Sequence, residues 1–170
     1  MASRSNKAEN LLAPLQVFRF HVRFLSDTLG SDKSGEVPVC SGAFAECTGL
    51  EATMEPRVIK AGGMNYGAVQ RVGRVSFATV VLKRGMTVTR DLWTWFSLVG
   101  GGASAVRLSA EIEMHDAAGN VVLTWGLKRA LPVKFKAADL NARGTEVGVE
   151  ELHLVHEGLQ LLGGSNDGPT

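Results

Sequence analysis

A chain of 170 residues with 45% apolar and 21% charged residues is of single-domain size, and it holds no uncharged apolar run long enough to span a bilayer. Lys and Arg total 18 against 17 Asp and Glu, a net charge of +1 that excludes a whole-protein field able to hold nucleic-acid phosphates or an anionic membrane surface. The 20 glycines are more than a helical bundle uses and suit a sheet protein with tight connections.

The opening MASRSNKAENLLAPL offers only Leu11, Leu12 and Ala13 as an apolar run, too little for a secretory signal, so 1–16 reads as a flexible N-terminal arm and 17–162 as the folded domain. Val17 to Leu25 puts Phe18, Phe20, Val22 and Phe24 on one face and Arg19, His21 and Arg23 on the other, the period of a half-buried strand. A long loop of Ser, Asp, Gly and Pro is expected over 26–41. Cys40 and Cys47 read as free thiols rather than a disulfide. Ala43 to Cys47 and Glu51 to Lys60 read as two short strands joined at a Thr48-Gly49 corner, and a second long loop is expected over 57–74.

Val75 to Leu82 is almost continuously apolar, which predicts one strand covered on both faces. One helix follows, with Thr89 as cap, Asp91 in the first turn, Leu92, Trp95, Phe96 and Val99 on one stripe, and glycines from Gly100 onwards as the stop. Val106 to Met114 alternates cleanly, and Asp116 to Asn120 forms a hairpin turn to a returning strand. That strand runs from Val121 past Gly126 to Phe135, with Pro132 at a bend or an edge. Glu146 to Leu161 closes the sheet, and a disordered tail is expected over 163–170. The order predicts a mainly β fold: an antiparallel β-barrel or sandwich of about seven strands with one packed α-helix.

Candidate chemistry is sparse. His153, His156 and Glu157 are residue types that ligate zinc or serve a small hydrolase, but positions three apart on a strand point to opposite faces, so no metal site is expected. The chain has no nucleophile elbow, no phosphate loop and no zinc-type cysteine pair, so neither an enzyme nor a cofactor is expected. Lys83, Arg84 and Gly85 read as a solvated basic turn rather than a phosphate contact. The informative signal is surface: a helix of ten residues spans only about 15 Å, too little to hide an apolar strand and a Phe-faced strand together. The remaining cover is expected from further copies of the chain. On this reading Val80 faces outwards, and Val80→Asp leaves folded monomers that cannot form rings.

Landmarks in order along the domain carry a family resemblance: Phe18-Arg19-Phe20, Gly42-Ala43-Phe44, Thr48-Gly49-Leu50-Glu51, Leu82 to Thr87, Asp91 to Phe96, Trp125 with Leu127, Pro132-Val133-Lys134, Asp139 to Ala142 and Glu150 to Leu159. Together they resemble the tail-tube proteins of contractile phage tails and extracellular contractile injection systems, T4-like and Hcp-like. The resemblance implies a structural subunit that forms stacked rings, typically of six, inside a sheath, without catalysis. It implies sheath, baseplate and terminator proteins as partners, cargo in the lumen, no nucleic-acid site, no membrane anchor and assembly in the bacterial cytoplasm. A tube-initiating baseplate subunit or a secreted carrier is the alternative. By analogy Arg57, Lys60, Asn65, Tyr66 and Arg71 are candidates for contacts between rings, and Arg19, Arg23, Val80, Arg107, Glu111 and Glu113 for contacts between subunits or the lumen wall.

Overall fold

The computed structural model describes residues 19–26, 44–60, 62–63, 66–102 and 106–163. Nine strands and one helix follow one another: β1 (Phe20–Ser26), β2 (Glu46–Thr48), β3 (Ala52–Ile59), β4 (Val69–Phe77), β5 (Val80–Gly85), α1 (Asp91–Gly100), β6 (Leu108–His115), β7 (Val121–Lys136), β8 (Val149–Val155) and β9 (Gly158–Leu162). Seven strands make one antiparallel sheet in the order β1-β6-β7-β8-β5-β2, with β9 also on β7, while β3 and β4 pair only with each other. The expected mainly β architecture with one packed helix is the one observed.

Alternation explains the main sheet. Val22 and Phe24 of β1 stand opposite Ile112 and Ala110 of β6, so both strands turn their apolar sides to the same space. Val80 and Leu82 of β5 stand opposite Leu154 and Leu152 of β8 and complete the core. Because β1 ends the strand order and β5 lies near the other end, their sharing of one core means that the sheet curls. Leu92 and Trp95 of α1 fill the interior, Trp95 meeting Phe24 edge-on at 5.4 Å while its indole N–H donates to the Val106 carbonyl at 3.3 Å. Full burial of side chains of this kind stabilises by about 1.5–3 kcal/mol each.

Several boundaries differ from the sequence reading. The apolar run from Val75 to Leu82 is two strands in two sheets: Val75 is 42% exposed, whereas Val80 is 0% exposed and faces inwards. The chain breaks at Ala78 and Thr79 because the Thr48-Gly49 corner wedges against it. Gly49 has a φ of 86°, and a Cβ there would lie 2.1 Å from the Thr79 carbonyl oxygen. Val80 is therefore no surface residue, contrary to its place among the subunit contacts. Half of the loop expected over 57–74 is strand, the ends of β3 and β4. The helix cap is Arg90, without a side-chain cap bond, and Thr89 instead pairs its hydroxyl with that of Thr87.

The closing strand is β8 and β9 in succession along β7, interrupted at His156 and Glu157 opposite Arg129, whose φ of 51° is left-handed. Pro132 lies buried mid-sheet rather than at an edge, next to a register shift between Pro132 and Lys134 that accommodates its missing N–H. Val17, Phe18, Cys40, the arm 1–16 and nearly all of the loop 26–41 fall outside the described residues.

Candidate assembly surfaces

The β3–β4 hairpin stands apart from the body. Every residue of β3 is exposed, and only Gly73 and Phe77 of β4 are half-buried. Exposed Met54, Val58 and Val72 give it an apolar surface, Val72 at 78%. Arg57 lies directly opposite Arg71 in the register, and no carboxylate among the described residues forms an ion pair with either. Like charges in direct cross-strand register are unfavourable. Lys60 and Tyr66 are exposed at the same end of the hairpin, while Asn65 lies outside the described residues. The segment expected to stack is thus partly a two-stranded arm, joined through 60–68.

The sheet presents charge on its outer side. Arg23 reaches Glu111 at 2.8 Å and Glu113 at 2.6 Å, which the register of β1 against β6 places side by side. His115 lies 3.7 Å from Glu113 and edge-on to His21. Arg19 donates to the Ala117 carbonyl at 3.2 Å at the adjoining turn. Arg107, grouped with Glu111 and Glu113 by strand alternation, lies elsewhere: it precedes β6 and bonds Glu157 at 2.5 Å, where Arg129 also arrives at 2.9 Å. A second charged row escaped the sequence reading. Glu46, Lys83, Glu151 and Lys136 alternate in sign across β2, β5, β8 and β7. The Glu46 carboxylate raises the Lys83 pKa, chiefly through their 3.0 Å hydrogen bond. Only strand order reveals that row, since its members are scattered along the chain.

Arg84 is not a solvated turn residue. Its guanidinium is buried, donates from Nε to Glu150 at 2.5 Å, bonds Asp91 at the start of α1, and lies over the Phe44 ring. Burial works against the Asp91 charge, but the Arg84 hydrogen bonds and charge outweigh it and hold the carboxyl below its usual range. The histidines at the end of the chain do not converge. His153 faces Glu151 at 3.4 Å, and the His156 ring packs on Phe77 at 5.2 Å. Glu157 is engaged by Arg107 and Arg129. Among the described residues no group of three His, Cys, Asp or Glu is placed to hold a metal ion. Burial raises the Cys47 thiol pKa to about 11, which leaves it unreactive.

An open cleft of about 710 Å³ lies beneath the segment from Ala138 to Gly148, bordered by Met86, Lys136 and Glu151. Asn141 shapes the turn at its centre, its side-chain oxygen accepting from the Arg143 N–H at 3.0 Å. Gly148 lets the segment cross closely, since a Cβ there would lie 2.8 Å from the Ala138 Cβ. No helix among the described residues is long and apolar enough to cross a membrane.

The two ends of the sheet, β1 and β2, each have one strand neighbour among the described residues. A chain in the anti-feeding prophage (AFP) baseplate structure, determined by cryo-EM with 6-fold symmetrisation, is 27% identical with a TM-score of 0.76, over 89% of this chain and 97% of that one. A chain of the PVC sheath-tube complex, an extracellular contractile injection system in its extended state, is 18% identical with a TM-score of 0.71, over 90% and 94%. A chain of the PVC sheath/tube terminator is 18% identical with a TM-score of 0.72, over 89% and 99%. No curated protein sequence matches. Residues 16–160 match the family model described as T4-like virus tail tube protein gp19, and the chain belongs to that family of tail tube proteins.

Proposed function

We propose that this chain assembles into rings of six that stack into the rigid inner tube of a contractile tail or injection particle. The observation that carries the reading is the exposed β3–β4 hairpin, a two-stranded arm with apolar side chains on its surface and facing arginines that form no ion pair with a carboxylate among the described residues. A two-stranded hairpin is marginal alone in water, so such an arm requires a neighbour to lie against. The outer strands β1 and β2, each with one strand neighbour among the described residues, suit pairing around the ring, and the 6-fold symmetry of the AFP baseplate structure supports six subunits.

In this reading Arg57, Lys60, Asn65, Tyr66 and Arg71 meet the next ring, and Arg19, Arg23, Glu111 and Glu113 belong to the lumen wall. Sheath, baseplate and terminator proteins are its partners, as the PVC sheath-tube and terminator complexes suggest for this chain, and the lumen has room for cargo. The work is mechanical: sheath contraction drives a preassembled tube, and the subunit performs no turnover. Assembly takes place in the bacterial cytoplasm.

A tube-initiating baseplate subunit is the second reading, favoured by the AFP baseplate chain at 27% identity. Negative-stain electron microscopy of concentrated protein tests both. A tube protein gives long stacked tubes, an initiator gives isolated rings that seed tubes of another subunit, and dispersed single chains contradict both.

A further inference from the structure

We propose that the cleft beneath the Ala138–Gly148 segment is the socket that receives the β3–β4 hairpin of a second copy in the adjacent ring; the proposal rests on the stacked-ring reading. Three observations carry it, and the first is position. The hairpin joins the body at Val80, the start of β5, and the cleft begins at Met86, just past the end of that strand, where the Met86 N–H donates to the Gly148 carbonyl at 2.8 Å. At about 3.3 Å per residue, β5 puts some 17 Å of sheet between plug and socket. They adjoin opposite ends of β5. That is the arrangement a head-to-tail contact needs, because it repeats along an axis without closing on itself.

The second is charge. The hairpin carries Arg57, Lys60, Arg71 and Arg74 against Glu55, a formal +3 from four cations and one anion. The cleft carries Asp139, Glu146 and Glu151 against Lys136 and Arg143, a formal −1 from three anions and two cations. The Asp139 side chain is 93% exposed, so its carboxylate is accessible despite lying 3.6 Å from Lys136. A carboxylate from the socket between Arg57 and Arg71 would turn their repulsion into two attractive contacts.

The third is apolar surface on both sides. Leu140 is 89% and Val147 80% exposed at the cleft, facing the same need for cover as Met54, Val58 and Val72 on the hairpin. The cleft wall is also shaped in advance, by the Asn141 turn and the close crossing at Gly148.

Charge reversal in both directions tests the contact. Asp139→Lys with Glu146→Lys alters only the socket, and Arg57→Glu with Arg71→Glu alters only the plug. Each pair is expected to leave rings intact but to cut the sedimentable tube fraction about tenfold or more, and combining all four changes is expected to restore tubes to within about twofold of the parent. Rings in each variant, seen by electron microscopy, show that the body is folded. Normal tubes from either single-sided variant, or no recovery in the combined one, overturn the socket while leaving the tube reading standing. A parent chain that forms neither rings nor tubes overturns both.

Discussion

Gly73 passes so close to Glu55 across the hairpin that a Cβ at position 73 would lie 2.0 Å from the Glu55 carbonyl oxygen. The register slips here, between Met54 and Pro56, and the missing side chain is what lets β4 follow the irregularity. Gly73→Val is therefore expected to disorder the arm while the body, whose core contains no residue of β3 or β4, keeps its melting temperature within a few degrees. Thermal unfolding followed by circular dichroism checks the body, and electron microscopy is expected to find no stacked tubes.

Val80→Asp is expected to prevent folding rather than assembly. Val80 is 0% exposed within the core, and a carboxylate placed there has no partner, a change that costs several kcal/mol. Insoluble expression, or loss of the cooperative thermal transition, is the expected result. A soluble, natively melting Val80→Asp monomer would contradict the placement of β5.

Arg84 ties three elements together through Glu150 of β8 and Asp91 of α1. Arg84→Met leaves two carboxylates facing each other in a buried space, and the loss is expected to be about 3–5 kcal/mol, a fall in Tm of roughly 10 °C. Arg84→Met combined with Glu150→Leu is expected to recover much of it, because the pair is then replaced by apolar packing. Differential scanning calorimetry of both variants measures the difference. Asp91 adds an acid dependence: its carboxyl titrates lower in the folded chain than in the unfolded one, so its contribution is present above the usual carboxylate pKa of about 4 and is lost as the pH falls through the folded value.

His156 is expected to make the root of the arm sensitive to milder acid. Burial lowers its pKa, and its ring packs on Phe77, the last residue of β4. The unfolded chain then binds the proton more readily than the folded one, so stability is full above the ordinary histidine pKa of about 6.5 and declines as the pH falls below it. His156→Phe is expected to flatten the stability profile between about pH 5 and 7 relative to the parent, as measured by urea unfolding at several pH values.

The body was legible wherever one face is buried and the other solvated. Phe24, Ala110 and Ile112 sit on the core side that alternation assigns them, and Leu92 and Trp95 are the buried residues of the helix. The arm was not legible, because exposed valines read like buried ones. Val72 and Val75 are exposed on a strand outside the main sheet, and the apolar run continues through Ala78 into β5 with no change of period to mark the passage between sheets. Of the candidate residues, Arg57 and Arg71 prove to be direct cross-strand partners and Arg23 a bridge between Glu111 and Glu113. The residues lining the cleft lie between Lys136 and Glu151 apart from Met86, which the pairing of β5 with β8 brings to it, and that pairing is not legible in the sequence.

The central claim is that this chain is completed by copies of itself, with the hairpin of one subunit lying on the next. Cryo-electron microscopy of concentrated protein tests it most directly. Stacked rings in which density for β3 and β4 bridges neighbouring subunits of successive rings are the expected result, and monodisperse single chains with the hairpin folded against their own sheet are the opposite one.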